Sequence, residues 1–328
     1  MNINSKLFWL TRFSLFMIFF VSVAAVNAQG PGGSRKALLG HNSVWLSSPG
    51  RSDWAPLSVP GQGPVESLVR DTRDPNRLLL CQNGQLHISQ DSGRSWNNIV
   101  FDSGTEKATA AAFHPTKPGM LFLATNQRFL ISSDSGQSWT STKPALTFKW
   151  QPRSIHVPPA KPSRIYFTTR GDGIFRSDDE GKSWRGINSG LPGAIGAAPV
   201  APVESVAIHP SNPDVMYVAI EAKGVYKTTD GGGRWNRVSN GLPINVTRRT
   251  FPWKLAIDQQ KPNRLLVAAS WPVHSEWVKT AIFLSVDAGR NWKEVGTSQK
   301  PVLDIGFAPE NIGLAVIVTE DGLVNLSR

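Results

Sequence analysis

One eight-residue pattern, Ser/Thr-x-Asp-x-Gly-x-x-Trp, recurs five times in the 328-residue chain and limits what it can fold into. The copies run from Ser89 to Trp96, Ser132 to Trp139, Ser177 to Trp184, Thr228 to Trp235 and Ser285 to Trp292. Each lies between two short β-rich runs, as Leu86-His87-Ile88 and Asn98-Ile99-Val100 flank the first, which is the pattern of a hairpin. The carboxylates of Asp91, Asp134, Asp179, Asp230 and Asp287 can accept backbone N–H groups one to three residues on and close an Asx-type turn. Gly93, Gly136, Gly181, Gly232 and Gly289 supply a φ > 0 conformation that other residues adopt at a cost. Trp96, Trp139, Trp184, Trp235 and Trp292 fold back as apolar plugs, each with one N–H to satisfy. A satisfied turn accounts for all of these residues, so they read as structural staples and not as a site.

A second marker repeats with the first. Before each copy an apolar run, a proline-containing turn and another apolar run follow one another, as in Val206-Ala207-Ile208, Pro213 and Met216-Tyr217-Val218. The distance from this proline to the motif Trp is 21, 21, 22, 22 and then 30 residues, so one unit carries an insertion. Each unit therefore reads as four strands, a to d, with the proline turn between a and b and the motif between c and d. Units of this size and strand count predict an all-β fold, a single β-propeller of four-stranded blades. Ser47 to Trp54 is a decayed copy, with Pro49 in place of the Asp and Arg51 in place of the Gly. A last unit begins at Val302 and ends near Ser327 without the motif. Six blades, closed by pairing of N- and C-terminal strands in one composite blade, is the preferred count. Seven is the alternative, if each terminal piece makes its own partial blade. Closure of either kind removes exposed sheet edges.

The motif is the one called the Asp-box or BNR repeat, and from Ser43 to Arg328 the chain resembles Asp-box propellers of the sialidase-like superfamily. That group includes sialidases, sortilin-type receptor domains, xyloglucan-active glycosidases and photosystem II assembly factors. The style His-Pro-x-x-Pro, strand, Gly, motif, clearest from Val206 to Trp235, is most similar to the assembly-factor family. That resemblance implies an exported, non-enzymatic protein that binds a membrane-protein partner partly through Arg on one face. The chain departs from it in its degenerate first and last repeats, so a photosynthetic role is not implied.

The N-terminus has the form of an export signal. Lys6 and Arg12 precede an apolar run from Phe13 to Val26, and small residues at Val26 and Ala28 place cleavage between Ala28 and Gln29. The domain reading is thus residues 1–28 signal peptide, 29–42 flexible leader and 43–328 propeller, periplasmic or secreted and not transmembrane after cleavage. The single cysteine, Cys81, lies in an apolar run and excludes an intrachain disulfide or a thiolate metal cluster. The six His residues are dispersed, so neither a metal nor a cofactor is expected. Formal net charge is +11; Lys6 and Arg12 contribute +2, which leaves about +9 after cleavage. Such a charge attracts acidic partners, but an exported chain without a nucleic-acid motif is a poor nucleic-acid binder. A monomer is expected.

Strand alternation puts the a–b and c–d turns on one face, here the bottom, and the b–c turns and d–a connections on the other, the top. The long insertions all fall on the top, and loops on a rigid scaffold are where function concentrates. Candidate residues for a protein or carbohydrate partner are Arg128, Arg170, Lys223, Arg248, Arg249, Trp253, Trp271, His274, Glu276 and Trp277. Aromatic plates beside Arg forks suit acidic or carbohydrate ligands, or a protein surface. The blander reading is that the long loops bury their own Trp. No catalytic residue is assigned. The three Tyr sit at framework positions of the repeat, unlike a sialidase nucleophile. Glycoside hydrolase or lyase chemistry is the alternative, through top-face carboxylates such as Asp172, Glu276 and Asp321.

Overall fold

The computed structural model describes residues 37–39, 44–47, 54–101, 104–142, 148–193, 198–221, 223–244, 251–274, 277–308 and 314–326. The side chains of residues 37–39, 46, 47, 54, 251–253, 271–274, 277 and 278 lie outside that description. The fold is an all-β propeller whose described strands form seven antiparallel sheets, each a simple meander. The first holds β1 (Ala37–Leu39), β2 (Val44–Ser47) and β3 (Trp54–Leu57). The second holds β4 (Val65–Arg70), β5 (Leu78–Gln82), β6 (Gln85–Ser89) and β7 (Asn97–Ile99). The third holds β8 (Ala108–Phe113), β9 (Leu121–Thr125), β10 (Phe129–Ser132) and β11 (Thr140–Ser141). The fourth holds β12 (Pro152–His156), β13 (Ile165–Thr169), β14 (Ile174–Ser177) and β15 (Arg185–Gly186). The fifth holds β16 (Val203–Ile208), β17 (Met216–Ile220), β18 (Gly224–Thr228) and β19 (Asn236–Arg237). The sixth holds β20 (Phe251–Ile257), β21 (Leu265–His274), β22 (Trp277–Ser285) and β23 (Lys293–Ser298). The seventh holds β24 (Asp304–Phe307), β25 (Ala315–Thr319) and β26 (Gly322–Leu326).

Two expectations about the ends are corrected. Among the described residues the first and last strands do not share the composite sheet preferred above: β1–β3 and β24–β26 are separate three-stranded sheets, as in the alternative of two partial pieces. They meet by packing, with Trp45 against Val316 and Val318 of β25 and Leu323 of β26. Ala37–Leu39, inside the expected leader, is a strand paired with β2. The decayed motif keeps its register, since Ser47 faces Trp54 across β2 and β3. β3 is therefore a d strand, and Leu57 packs beside Val44 and Val65 of the next sheet.

Second strands are apolar on both faces because a sheet flanks each side. Leu78–Gln82, Leu121–Thr125, Ile165–Thr169, Met216–Ile220 and Ala315–Thr319 are buried throughout. The core is thus a series of inter-sheet layers, such as Tyr217, Ala219 and Val225 against Leu255, Leu265 and Phe283. Burying such side chains contributes about 1.5–3 kcal/mol each.

The motif turns do more than expected. In the first copy the Ser89 hydroxyl donates to Asp91 Oδ1 at 2.8 Å and accepts the Gly93 N–H at 2.7 Å. The carboxylate accepts the Ser95 N–H at 2.9 Å and its hydroxyl at 2.6 Å, so the main backbone donor is four residues on. The other four copies repeat the hydroxyl-to-Asp bond and the backbone bond from the residue four on. The opening Ser or Thr is thus a full member of the staple. Two consecutive residues take positive φ, for example Ser92 at 64° and Gly93 at 84°. Hydrogen bonds from Ser95 and then Ser89 hold the Asp91 carboxyl at about 2.

The Trp plugs divide into two kinds. Trp235 and Trp292 are buried, 2% and 6% exposed, and donate Nε1 to Ile187 and Val238 of the preceding d strand region. Trp96, Trp139 and Trp184 are half-buried, and Trp139 and Trp184 donate to their own Gly136 and Gly181 carbonyls. Uniform burial of the plugs is therefore corrected. Trp235→Ala is expected to lower unfolding free energy by about 3–5 kcal/mol, and Trp139→Ala by distinctly less, in urea titrations of both variants. Equal losses would show that burial is not what the indole contributes.

Candidate functional site

Backbone hydrogen bonds set the two faces. Each motif turn donates to the a–b turn of its own sheet, as Ser92 to Asn76, Ser135 to Gly119, Glu180 to Ser163, Gly231 to Asp214 and Ala288 to Asn263, at 2.8–2.9 Å. At the other end the b–c turns donate to the residues preceding strand a: Asn83 to Pro64, Asn126 to Lys107, Arg170 to Gln151 and Glu221 to Pro202. The top face is therefore built around the upper ends of the innermost strands.

Those strand ends carry a feature that repeat counting did not reveal. The a–b ladder slips by one residue in four successive sheets, between Val65 and Ser67, Ala108 and Ala110, Pro152 and Ser154, and Val203 and Ser205. A bulge leaves one residue unpaired and re-aims its side chain. Here the residues are Glu66, Thr109, Arg153 and Glu204. Arg153 and Glu204, 7% and 4% exposed, meet across the fourth and fifth sheets with Nη2 3.0 Å from Oε1. Lys254 of β20 and Asp304 of β24 extend the series and are as deeply buried. Burial pulls the Lys254 ammonium down, with Asp304 and then Glu204 opposing. Burial likewise lowers Arg153, opposed chiefly by Glu204, with Arg170 and Glu221 of the top rim also within range of its charge. Arg153 Nε and Nη1 and Glu204 Oε2 are buried without a protein hydrogen-bond partner. At Glu66 burial dominates and pushes the carboxyl up to about 7, against backbone N–H groups of Glu66 itself, Gly84 and Asn83 and the charge of Lys107.

Above this belt, the loop before β12 presents Trp150. The Asp172 carboxylate accepts the N–H groups of Lys149 and Trp150 at 2.9 and 2.8 Å. The indole lies on Gly171, where an added Cβ would come within 2.7 Å of the ring and 2.9 Å of Ala198. The ring is thus packed against backbone at Gly171, and 38% of the residue remains exposed. Arg170, which the sequence selected, stands next to this plate, and Lys223 lies on the neighbouring b–c turn of the fifth sheet. Arg128 is instead turned to Glu106, Nη2 to Oε1 at 2.6 Å, and braces the third sheet. Arg248, Arg249 and Glu276 lie outside the described residues, and so do the side chains of Trp253, Trp271, His274 and Trp277. Of the carboxylates considered for hydrolysis, Asp172 is the loop staple just described, and Asp321 sits 3.6 Å from Lys300. Trp150 is not among the residues selected from the sequence; the packing on Gly171 is what singles it out. Among the described residues no group of three or more His, Cys, Asp or Glu could hold a metal ion, and no helix is long and apolar enough to cross a membrane.

Comparisons with known proteins agree on the fold. Residues 172–311 match the family described as Sortilin, neurotensin receptor 3. A probable oligoxyloglucan-reducing end-specific xyloglucanase of Neosartorya fischeri is 30% identical over 181 residues, 55% of this chain but 18% of that protein. Among solved structures, the Niastella koreensis GH74 enzyme superposes with a TM-score of 0.68 at 18% identity, covering 93% of this chain and 51% of the enzyme. YCF48 bound to D1 peptide superposes with a TM-score of 0.61 at 15% identity, covering 94% of this chain and 93% of that one. The chain thus spans only a part of its enzymatic relatives and nearly the whole of a YCF48 propeller. The likenesses show a β-propeller fold.

Two predictions concern the belt. Arg153→Met strands the Glu204 carboxylate and is expected to cost about 3–5 kcal/mol, with much of that recovered in the Arg153→Met/Glu204→Leu double variant; a double-mutant cycle by chemical denaturation measures it. Glu66 binds its proton more tightly folded than unfolded, so its contribution is full below the unfolded carboxyl range and is lost as pH rises to about 7. Glu66→Gln should flatten the decline in stability between about pH 4.5 and 7, and an unchanged slope would assign that decline to other groups.

Proposed function

We propose that this chain is an exported Asp-box propeller of the sialidase-like superfamily that acts without catalysis, binding a protein or polysaccharide partner through its top face. The observation that carries the reading is the Trp150 plate, seated on Gly171 and held by Asp172, on the same face as Arg170 and Glu221, whose charges reach the buried Arg153–Glu204 pair. An aromatic plane next to a charged fork is a recognition surface for a sugar ring or an extended peptide. The neighbour whose length matches, YCF48, is named for a peptide complex. The glycoside-hydrolase reading draws on the xyloglucanase relative, but Asp172 and Asp321 already have structural partners.

The test is a capture from periplasmic or envelope extract, alongside a glycan panel, comparing wild type with Trp150→Ala and Arg170→Ala. Each variant is expected to lose roughly tenfold or more in affinity for whatever the wild type retains, as hot-spot aromatic and Arg truncations do. Retention unchanged in both variants sinks the top-face reading. Release of reducing ends from xyloglucan oligosaccharides, abolished by substituting a top-face carboxylate, would establish hydrolysis in its place.

A further inference from the structure

We propose that the bottom face of the fourth to sixth sheets is a docking surface for a bilayer containing anionic phospholipid. Six exposed cations stand there in or just after the motif turns: Lys182 and Arg185, Arg234 and Arg237, Arg290 and Lys293. One of each pair sits in the motif turn and the other at the start of the outermost strand. Contacts between sheets join the three pairs into one arc. Arg176, the ladder partner of Arg185, donates to the Gly231 carbonyl of the fifth sheet at 2.9 Å. Lys227, the partner of Asn236, donates to the Ala288 carbonyl of the sixth at 3.5 Å. The carboxylates nearby are already engaged. Asp179, Asp230 and Asp287 turn onto their own hydroxyl and backbone donors. Asp178 accepts from Arg164 and Arg176, with Arg185 at 3.4 Å, and Asp214 is held by Arg164. Glu294 is the exposed carboxylate beside Lys293. The outward charge of the arc is positive.

Every turn in the arc is short and bonded to the a–b turn of the same sheet, so the cations stand on fixed supports that suit an extended anionic surface, while the long loops occupy the opposite face. Val286, 64% exposed at the tip of the sixth sheet's turn, gives an apolar tooth at headgroup depth. Charged outer strands also prevent edge-to-edge pairing, but either sign serves that purpose. The second sheet has one exposed cation, Arg94, in its turn and Asn97 on its outer strand, and in the third sheet the matching Gln137 and Thr140 are both uncharged. A single sign in three consecutive sheets fits attraction to an anionic leaflet.

The test is cosedimentation of the full chain with vesicles of phosphatidylcholine, with and without phosphatidylglycerol, at low and high salt. Binding is expected only with the anionic lipid and is expected to weaken as salt screens it. Arg234→Glu/Lys293→Glu should lower partitioning roughly tenfold or more, with Arg234→Gln/Lys293→Gln in between. Lys149→Glu/Lys223→Glu makes the same charge change on the top face and should leave vesicle binding as in the wild type. All variants share the same N-terminal residues, so differences between them report the substituted face, and a thermal melt checks that each folds. Equal binding to neutral vesicles, an unaffected bottom-face variant, or retention on immobilised heparin without vesicle binding would each overturn the proposal. The top-face reading is tested by other variants and stands or falls separately.

Discussion

The close approach of each motif glycine to the preceding sheet is the constraint on which the rest of the ring depends. A Cβ on Gly93 would come within 2.3 Å of Leu57, on Gly232 within 2.4 Å of Ile187 and on Gly136 within 2.9 Å of Ile99. Each of those residues stands three places after the Trp, or decayed Trp, of the sheet before. The motif is therefore both a turn and a gauge of sheet-to-sheet distance. The hydroxyl, carboxylate and backbone bonds fix two left-handed residues in succession, and this delivers the glycine, without a side chain, to the neighbouring d strand. At Gly232 the Trp of the same motif is also buried and donates its indole N–H to the same neighbour, Ile187. Each turn bond contributes only about 0.5–1.5 kcal/mol, but repetition around the ring makes the geometry uniform.

At the axis the sheets are held by a different interaction. Arg153, Glu204, Lys254 and Asp304 alternate in sign across four successive sheets, and all four are nearly inaccessible. Desolvating such groups costs several kcal/mol per ion, so they are not a cheap source of stability. An apolar set would pack at least as well. Their effect is to bring unlike charges together only when the fourth to seventh sheets follow one another at the right spacing and register.

The repeat unit, the turn chemistry and the assignment of two faces were all legible in the sequence, because five copies of one motif at a fixed distance from a proline leave few arrangements. Ring closure was not. Ser47 to Trp54 was readable as a decayed copy, yet nothing in its residues said that β1 would precede it and form a sheet apart from β24–β26. The belt was hidden for a related reason. A bulge adds one residue to a ladder without a sequence signature, so nothing in the sequence marked Arg153 and Glu204 as a buried pair. The Trp150 seat was hidden because a glycine in a b–c turn reads as a turn residue, and only the packing shows that Gly171 is there for the indole.

The ring is chemically lopsided despite its repeated plan. In the third sheet the innermost strand, Ala108–Phe113, is buried along its length and carries Thr109 as its only hydroxyl, bonded to its own sheet at the Ala124 carbonyl. In the fourth and fifth sheets the same place brings Arg153 and Glu204, the top turns bring Trp150, Arg170 and Glu221, and the bottom edges bring paired cations. The same backbone hydrogen bonds run through both halves, so the scaffold did not demand this difference. Residues that depart from the repeat where the repeat's own physics is already satisfied are the ones left for recognition, and here they gather on one side of the ring, at both of its ends.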